Sequence, residues 1–376
     1  MGKPSYADVS TRLEVLAARR NLKMARSAHA YVRGSTAQFY RWLESSAGKA
    51  PDGPPVWICG DCHVGNLGPL ADAKGRVAIQ IRDLDQTVIG NPVHDVIRLG
   101  LSLASTARGS DLPGVTTAHM LEAMVAGYAK ALEGEHEKRG AFAARPRVVK
   151  SILRRSVRRR WRHLAEERLE NVEPVIPLGA RFWPLSGDER AALADLFEGE
   201  EVRAMITGLR GRDASDAIEV VDAAYWMKGC SSLGRLRYAV LLRVGAGDLC
   251  LVDIKEAAPA AAPRTPDAAM PRDNAQRVVA GARALSPNLG QRMLAARLAD
   301  KPVVLRELMP QDLKIEIERL TPGEAMAIAG YLGNVVGRAH GRQMDAATRR
   351  SWHGELTRHH TATLAQSQDG ASSVAV

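Results

Sequence analysis

The stretch from Val56 to Leu103 limits what this chain can become more than any other. An apolar run (Val56, Trp57, Ile58) enters a Gly-containing turn, Cys59-Gly-Asp61-Cys-His63-Val-Gly-Asn66, with Asp61 and Asn66 five positions apart. Alternation over Val77–Ile81 predicts a strand, reached by a short hairpin and ending in Arg82-Asp83-Leu84-Asp85. Past Gly90-Asn91-Pro92, Asp95 precedes the apolar residues Val96, Ile97, Leu99 and Leu101, which mark a helix start. A strand, a loop with Asp and Asn, a hairpin and a second Asp form the layout that phosphoryl transfer needs. One carboxylate takes the nucleophile's proton, while an Asn and another carboxylate hold Mg²⁺ on nucleotide phosphates. Asp is also favoured at turns and caps. Acids gathered at neighbouring strand ends repel one another unless a cation lies among them.

Charge and length agree with an anionic ligand. The net charge is +10 over 376 residues, which suits a nucleotide, a phosphorylated substrate or a nucleic acid. Hydrophobic residues make up 45%, enough for a sizeable core. Cys59, Cys62, Cys230 and Cys250 are too few and too scattered for a disulfide framework. The start, Met1-Gly-Lys-Pro-Ser, has no apolar run of the kind that directs export, and no window of eighteen apolar residues exists. A soluble, cytoplasmic protein without membrane contact is expected.

The domain plan follows from texture. Residues 1–55 read as an N-terminal helical segment, and 56–219 as a mostly helical catalytic lobe. Residues 220–312 form a β-rich nucleotide lobe, and 313–345 a long helix returning to the first lobe. Residues 346–376 close the chain with a Ser/Gly/Gln-rich tail that reads as disordered. Within 171–220, Pro174, Pro177 and Pro184 indicate irregular chain before a helix near 187–197. Ala257–Met270 is Ala/Pro-rich and reads as a flexible connection. The basic run Arg154-Arg155-Ser-Val-Arg158-Arg159-Arg160-Trp161-Arg162-His163 has an apolar stripe opposite its arginines. A solvated helix explains it better than nucleic-acid binding through 150–163, since no aromatic or glycine interleaving offers a stacking platform.

In the second half, Lys228-Gly229-Cys-Ser231-Ser232-Leu-Gly234 sits before a strand at Tyr238–Leu242, a turn, and a second strand, Leu249–Lys255. Glycine amides approach phosphates closely, and a strand-terminal Lys neutralises them. Gly229 and Gly234 supply such a turn, and Lys255 the cation.

These motifs resemble the active-site signature of aminoglycoside and choline phosphotransferases. The whole chain from about residue 20 to 345 resembles a bacterial family catalogued as domain of unknown function 2252. The resemblance rests on Gly60-Asp61-Cys-His63-Val-Gly-Asn66-Leu-Gly68, Asp83-Leu-Asp85-Gln-Thr87, Lys228-Gly229-Cys-Ser-Ser232-Leu-Gly234, Lys255-Glu256-Ala257, Arg306-Glu307-Leu308 and Ala339-His340-Gly-Arg342. It implies an α+β, two-lobed, protein-kinase-like fold. The catalytic loop precedes the glycine turn, so the order would be circularly permuted, with residues 345 and 55 close in space. By the same resemblance Asp61 is the base, Asn66 and Asp83 hold Mg²⁺ and Asp85 adds either a metal contact or a structural one. Asp95 caps the loop. Gly229, Ser231, Ser232, Gly234 and Lys255 bind ATP, with Glu307 in the strand leading to the adenine hinge.

Three positions depart from that pattern: Cys59 replaces a loop His, Ser231 replaces a middle Gly, and the helix after Lys255 has no Glu. Either Asp273 or Glu256 partners Lys255 instead, or the pair is absent. The expected activity is transfer of the ATP γ-phosphate to a hydroxyl or amine acceptor. The alternative is a non-catalytic, pseudokinase-like nucleotide-binding or regulatory protein. Cys59-x-x-Cys62-His63 also matches haem attachment, or part of a zinc site, but lacks an export signal for the first and a fourth ligand for the second.

Overall fold

The computed structural model describes residues 9–25, 31, 34–45, 50–108, 112–133, 145–157, 175–209, 211–228, 233–246, 248–309 and 320–372. In chain order the first elements are helices α1 (Arg12–Met24) and α2 (Thr36–Ser45) and strands β1 (Val56–Ile58), β2 (Leu67–Ala71), β3 (Val77–Ile81) and β4 (Val88–Gly90). Helices α3 (Val93–Arg108), α4 (Gly114–Lys130) and α5 (Arg147–Val157) follow, then β5 (Phe182–Trp183), α6 (Gly187–Glu198) and α7 (Glu200–Thr207). The second half has β6 (Ile218–Trp226), β7 (Arg237–Val244), β8 (Asp248–Glu256), α8 (Asn274–Leu285), α9 (Pro287–Gly290), β9 (Met293–Leu298) and β10 (Lys301–Leu308). The last helices are α10 (Pro322–Gly341) and α11 (Ala346–Ser372). The architecture is α+β, with antiparallel sheets.

One sheet has six strands in the order β5-β6-β7-β8-β10-β9. The ribbons β1-β4 and β2-β3 flank the turn at 59–66. On one face of the large sheet, Trp183, Tyr225, Tyr238, Val240, Val252 and Leu305 pack with Leu16 of α1, Leu193 and Phe197 of α6, and Val202 and Ile206 of α7. Arg12 fixes α1 there: it pairs with Glu189 at 2.7 Å and stacks 4.3 Å from the Tyr225 ring centroid. Residues 182–207 therefore pack with the sheet, not with the first lobe as their sequence position implied. Burying apolar stripes on a sheet face outweighs chain order.

A second core joins Phe39 and Tyr40 of α2, the two ribbons, α3, α4, α8 and α10, and Trp352 and Leu356 of α11. Helices α4 and α10 pack almost backbone to backbone. A Cβ on Gly127 would lie 2.0 Å from the Gly330 oxygen, and one on Gly333 would lie 2.1 Å from the Met124 oxygen. Only glycine allows that approach. Helix α10 opens with a capping box between Thr321 and Glu324 and Pro322 in its first turn, which explains its sharp start.

Two expectations about loops are corrected. Residues 257–270 are pinned rather than a loose connection: Thr265 N–H donates to Ile89 O at 2.8 Å, Ala261 N–H to Gln86 Oε1 at 2.6 Å, and Ala262 is buried in the second core. The C-terminal segment is helical through Ser372. Among the described residues no helix is long and apolar enough to cross a membrane.

Candidate functional site

The turn after β1 is shaped by one buried carboxylate. Asp95, fully buried in the first turn of α3, accepts the Cys59 N–H at 2.6 Å and the Gly60 N–H at 2.9 Å. The loop-capping role expected of Asp95 is what its geometry provides. Behind it, His340 Nε2 lies 3.2 Å from Asp95 Oδ2, Tyr128 Oη lies 2.9 Å from His340 Nδ1, and Trp352 Nε1 donates to that hydroxyl at 3.1 Å. Gly60 itself has φ +75°, and a Cβ there would meet Gln86 O at 2.1 Å, so the turn requires glycine. Tyr40 of α2 donates its hydroxyl to Gly60 O at 2.8 Å.

Asp61 projects from this turn and is paired: Arg98 Nε donates to its Oδ1 at 2.8 Å, and both side chains are largely buried. Burial is the largest influence on Asp61 and pushes its carboxyl up. Arg98 offsets that in part, and the outcome is about 6. Asn66, also buried, donates its amide to Asp61 O at 2.9 Å. These two residues therefore share one turn, as their spacing predicted.

Asp83 and Asp85 follow β3 and meet Lys255, the last residue but one of β8. Lys255 Nζ lies 3.7 Å from Asp83 Oδ1 and in direct contact with Asp85 Oδ2, and the Lys255 side chain is 14% exposed. The Asp83 carboxylate is about half exposed. Burial acts to raise its carboxyl, but Lys255, Arg306 and Arg237 outweigh that and hold it well below the usual range. Asp85 is raised, by burial first and by the neighbouring Asp83 charge second. The partner of Lys255 is thus Asp85, with neither expected substitute involved. Asp273 caps α8 through the Ala275 and Gln276 N–H groups, and Glu256 meets Lys301 at 3.3 Å. Arg277 of α8 holds the acidic loop, donating to the Thr87, Asp85 and Ala258 carbonyls.

Sheet register supplies further charges that sequence reading did not assign to the site. Lys255 faces Arg237 across β7–β8, and Asp253 faces Arg306 across β8–β10. Arg237 forks onto Asp253 at 2.9 and 2.6 Å, and Arg306 donates to Arg82 O at 2.9 Å. Burial would raise the Asp253 carboxyl, yet Arg237, Lys228 and Arg306 hold it well below its usual range. Alternation places Asp253 and Lys255 on one face, the signal that could have found this group. On that same face Phe182 and Trp226 stack at 5.6 Å beside buried Ala224, Ala239, Leu241, Leu251 and Leu308.

Glu307 is turned the other way. It is buried and forked onto Arg212 at 2.6 and 2.9 Å, and its carbonyl accepts from Arg292. The strand alternates, so the residue after Arg306 cannot share its face, and the side chain expected near the nucleotide is a structural ion pair. Of the expected glycine turn, Gly229, Ser231 and Ser232 lie outside the described residues, and Gly234 adopts φ +95°. The basic run is described to Val157: Val149, Ile152 and Leu153 are buried while Lys150, Arg154 and Arg155 are exposed, and residues 158–163 lie outside.

Hard oxygen ligands, as Asn66, Asp83 and Asp85 offer, suit Mg²⁺, which typically takes one or two carboxylates plus phosphate oxygens. A different trio also lies together: ligand atoms of Cys59, Cys62 and Asp95 are within 4.8 Å of one another. Asp95 already caps the turn and faces His340, so a metal there would have to displace the loop's own support. His63, weighed from sequence as a third ligand, is not in that trio.

A buried turn presenting Asp and Asn, opposed by a charged sheet face, defines an α+β protein with a polar centre between two cores. The chain belongs to the family described as uncharacterized protein conserved in bacteria (DUF2252), whose model matches residues 12–375. No curated protein and no solved structure matches it.

Proposed function

We propose that this protein is an ATP- and Mg²⁺-dependent phosphotransferase on a kinase-like fold whose two lobes occur in permuted order. The observation that carries the reading is the meeting of Lys255 with Asp83 and Asp85. A sheet-end ammonium and two strand-end carboxylates converge beside Asp61 and Asn66, although the chain separates them widely. The permutation draws support from Gln343, whose side chain bonds both backbone groups of Trp57, at 2.8 and 3.1 Å. The chain just after α10 is therefore beside β1, as a cut between those two elements requires.

In this reading Lys255, Arg237 and Arg306 attract the nucleotide phosphates. Asn66, Asp83 and Asp85 would hold Mg²⁺, which neutralises phosphate charge when bound. Asp61 takes the proton of a hydroxyl or amine acceptor, and a carboxyl near 6 suits that task at neutral pH. Arg98 occupies one Asp61 oxygen, the observation that favours the second reading, a nucleotide-binding regulatory protein without turnover.

Thermal unfolding of the full chain with MgATP, with ATP plus chelator, and with no nucleotide tests the proposal. Stabilisation that needs Mg²⁺ and is lost in Asp83→Ala is expected. No shift with any nucleotide overturns both readings. A shift without phosphate release or transfer, unchanged in Asp61→Asn, leaves only the regulatory one.

A further inference from the structure

We propose that Thr36 is a modification site of this protein, its hydroxyl receiving a phosphoryl group in cis from a nucleoside triphosphate held by Lys255, Asp83 and Asp85. The inference rests on the phosphotransferase reading and adds an acceptor to it. Thr36 begins α2, a helix fixed against the turn that carries Asp61. Tyr40 bonds Gly60 O at 2.8 Å, and the Phe39 ring lies 5.0 Å under the guanidinium of Arg98, the partner of Asp61. The neighbours of Asp61 on both sides thus hold the helix in place.

Thr36 is 6% exposed, and its Oγ1 is buried without a well-formed hydrogen bond. The hydroxyl lies beside the Asp61 carboxylate, close enough to steady its charge. Asp83 is near enough that its charge acts on Asp61 as well. Asn66 links the two groups: it donates to Asp61 O at 2.9 Å, and its own carbonyl accepts the N–H of Arg82, the residue before Asp83, at 2.6 Å.

In the step, a bond forms between Thr36 Oγ1 and the terminal phosphorus. The bond from that phosphorus to the bridging oxygen breaks, and the nucleoside diphosphate leaves with the electron pair. The hydroxyl proton passes to Asp61. Nothing is oxidised or reduced.

The experiment incubates phosphatase-treated full-length protein with MgATP and follows intact mass, then maps the modified peptide. One phosphate on Thr36 is expected, at a rate independent of protein concentration. Thr36→Ser should accept phosphate at the same position and Thr36→Val should accept none. Asp61→Asn should slow incorporation about 10²-fold or more, as loss of a general base does. MgATP-dependent thermal stabilisation, retained in Thr36→Val, shows that the variant is folded and the nucleotide site intact. Stabilisation by MgATP with Thr36 unmodified overturns this inference and leaves the phosphotransferase reading standing. Phosphate mapped elsewhere, or a rate that rises with protein concentration, also overturns it. Absence of any MgATP effect removes both.

Discussion

Replacing Asp95 by Asn tests the geometry of the turn directly. The carboxylate offers two acceptor oxygens to three neighbours: the Gly60 N–H at 2.9 Å, the Cys59 N–H at 2.6 Å and His340 Nε2 at 3.2 Å. An amide has one oxygen, so its NH₂ must face Gly60 or share the side of Cys59 and His340. Either way a backbone N–H loses its acceptor in a site with no solvent access. Losing a hydrogen bond to a charged group costs about 1.5–3 kcal/mol, and an unsatisfied buried donor about 1–3 kcal/mol; the two overlap, so about 3 kcal/mol is expected. For 376 residues at roughly 2.1 cal/mol/K per residue, the unfolding entropy is about 0.8 kcal/mol/K, which puts the fall in Tm near 4 °C. Urea unfolding gives the free energy. Amide exchange at Cys59 and Gly60 should accelerate by roughly 10²-fold where local opening governs it. A loss below about 0.5 kcal/mol, within the range of neutral surface changes, would refute the claim that this carboxylate holds the turn.

Three further outcomes follow from the packing and charges. Asp61 has a folded value of about 6 against an ordinary 3.8, so the folded chain keeps a proton that the unfolded chain has lost between those values. Its ionisation therefore lowers stability as pH rises from about 4 to 6, by about 3 kcal/mol in all, with no penalty below that window and a constant one above it. The stability of wild type relative to Asp61→Asn, measured in urea at pH 4, 5 and 7, should fall across that window, and a rise would contradict the assignment. Gly333→Ala places a methyl group 2.1 Å from a backbone oxygen, so α4 and α10 must separate, with a loss of about 1–3 kcal/mol or more by thermal unfolding. A neutral result would show the helices packed less closely. Glu307→Ala breaks a buried fork with Arg212 and should cost about 3–5 kcal/mol, yet leave any MgATP-dependent thermal shift intact, because that side chain faces away from Lys255. Loss of the shift in a folded variant would return Glu307 to the nucleotide site.

Much of this arrangement was legible in local patterns. Residues Val77–Ile81 form the predicted strand, a helix spans Gly187–Glu198 where one was expected near 187–197, and Asp95 caps the turn as expected. What escaped depended on partners far along the chain. Strand β9 went unread because its hairpin turns at Ala299 and Asp300, both at positive φ, where glycine or asparagine would have been the signal. The placement of α6 and α7 on the sheet was hidden because their stripes fit either core. No local pattern sets Arg98 apart from other helical arginines, and only the fold brings it to Asp61. The Arg237–Asp253–Arg306 group was open to inspection by alternation, but pairing order in a six-stranded sheet is not written in any one strand.

The cores use the chain unevenly, and this affects biosynthesis. Sheet-face packing needs residues up to Leu305, whereas the core around the acidic turn draws on Phe39 at one extreme and on Trp352 and Leu356 at the other. A ribosome releases the turn early, but the histidine and tryptophan behind its supporting carboxylate arrive only with the final helices. The sheet is thus the first body able to mature, and the opening segment must wait in an unfinished state until Trp352 and Leu356 have been made.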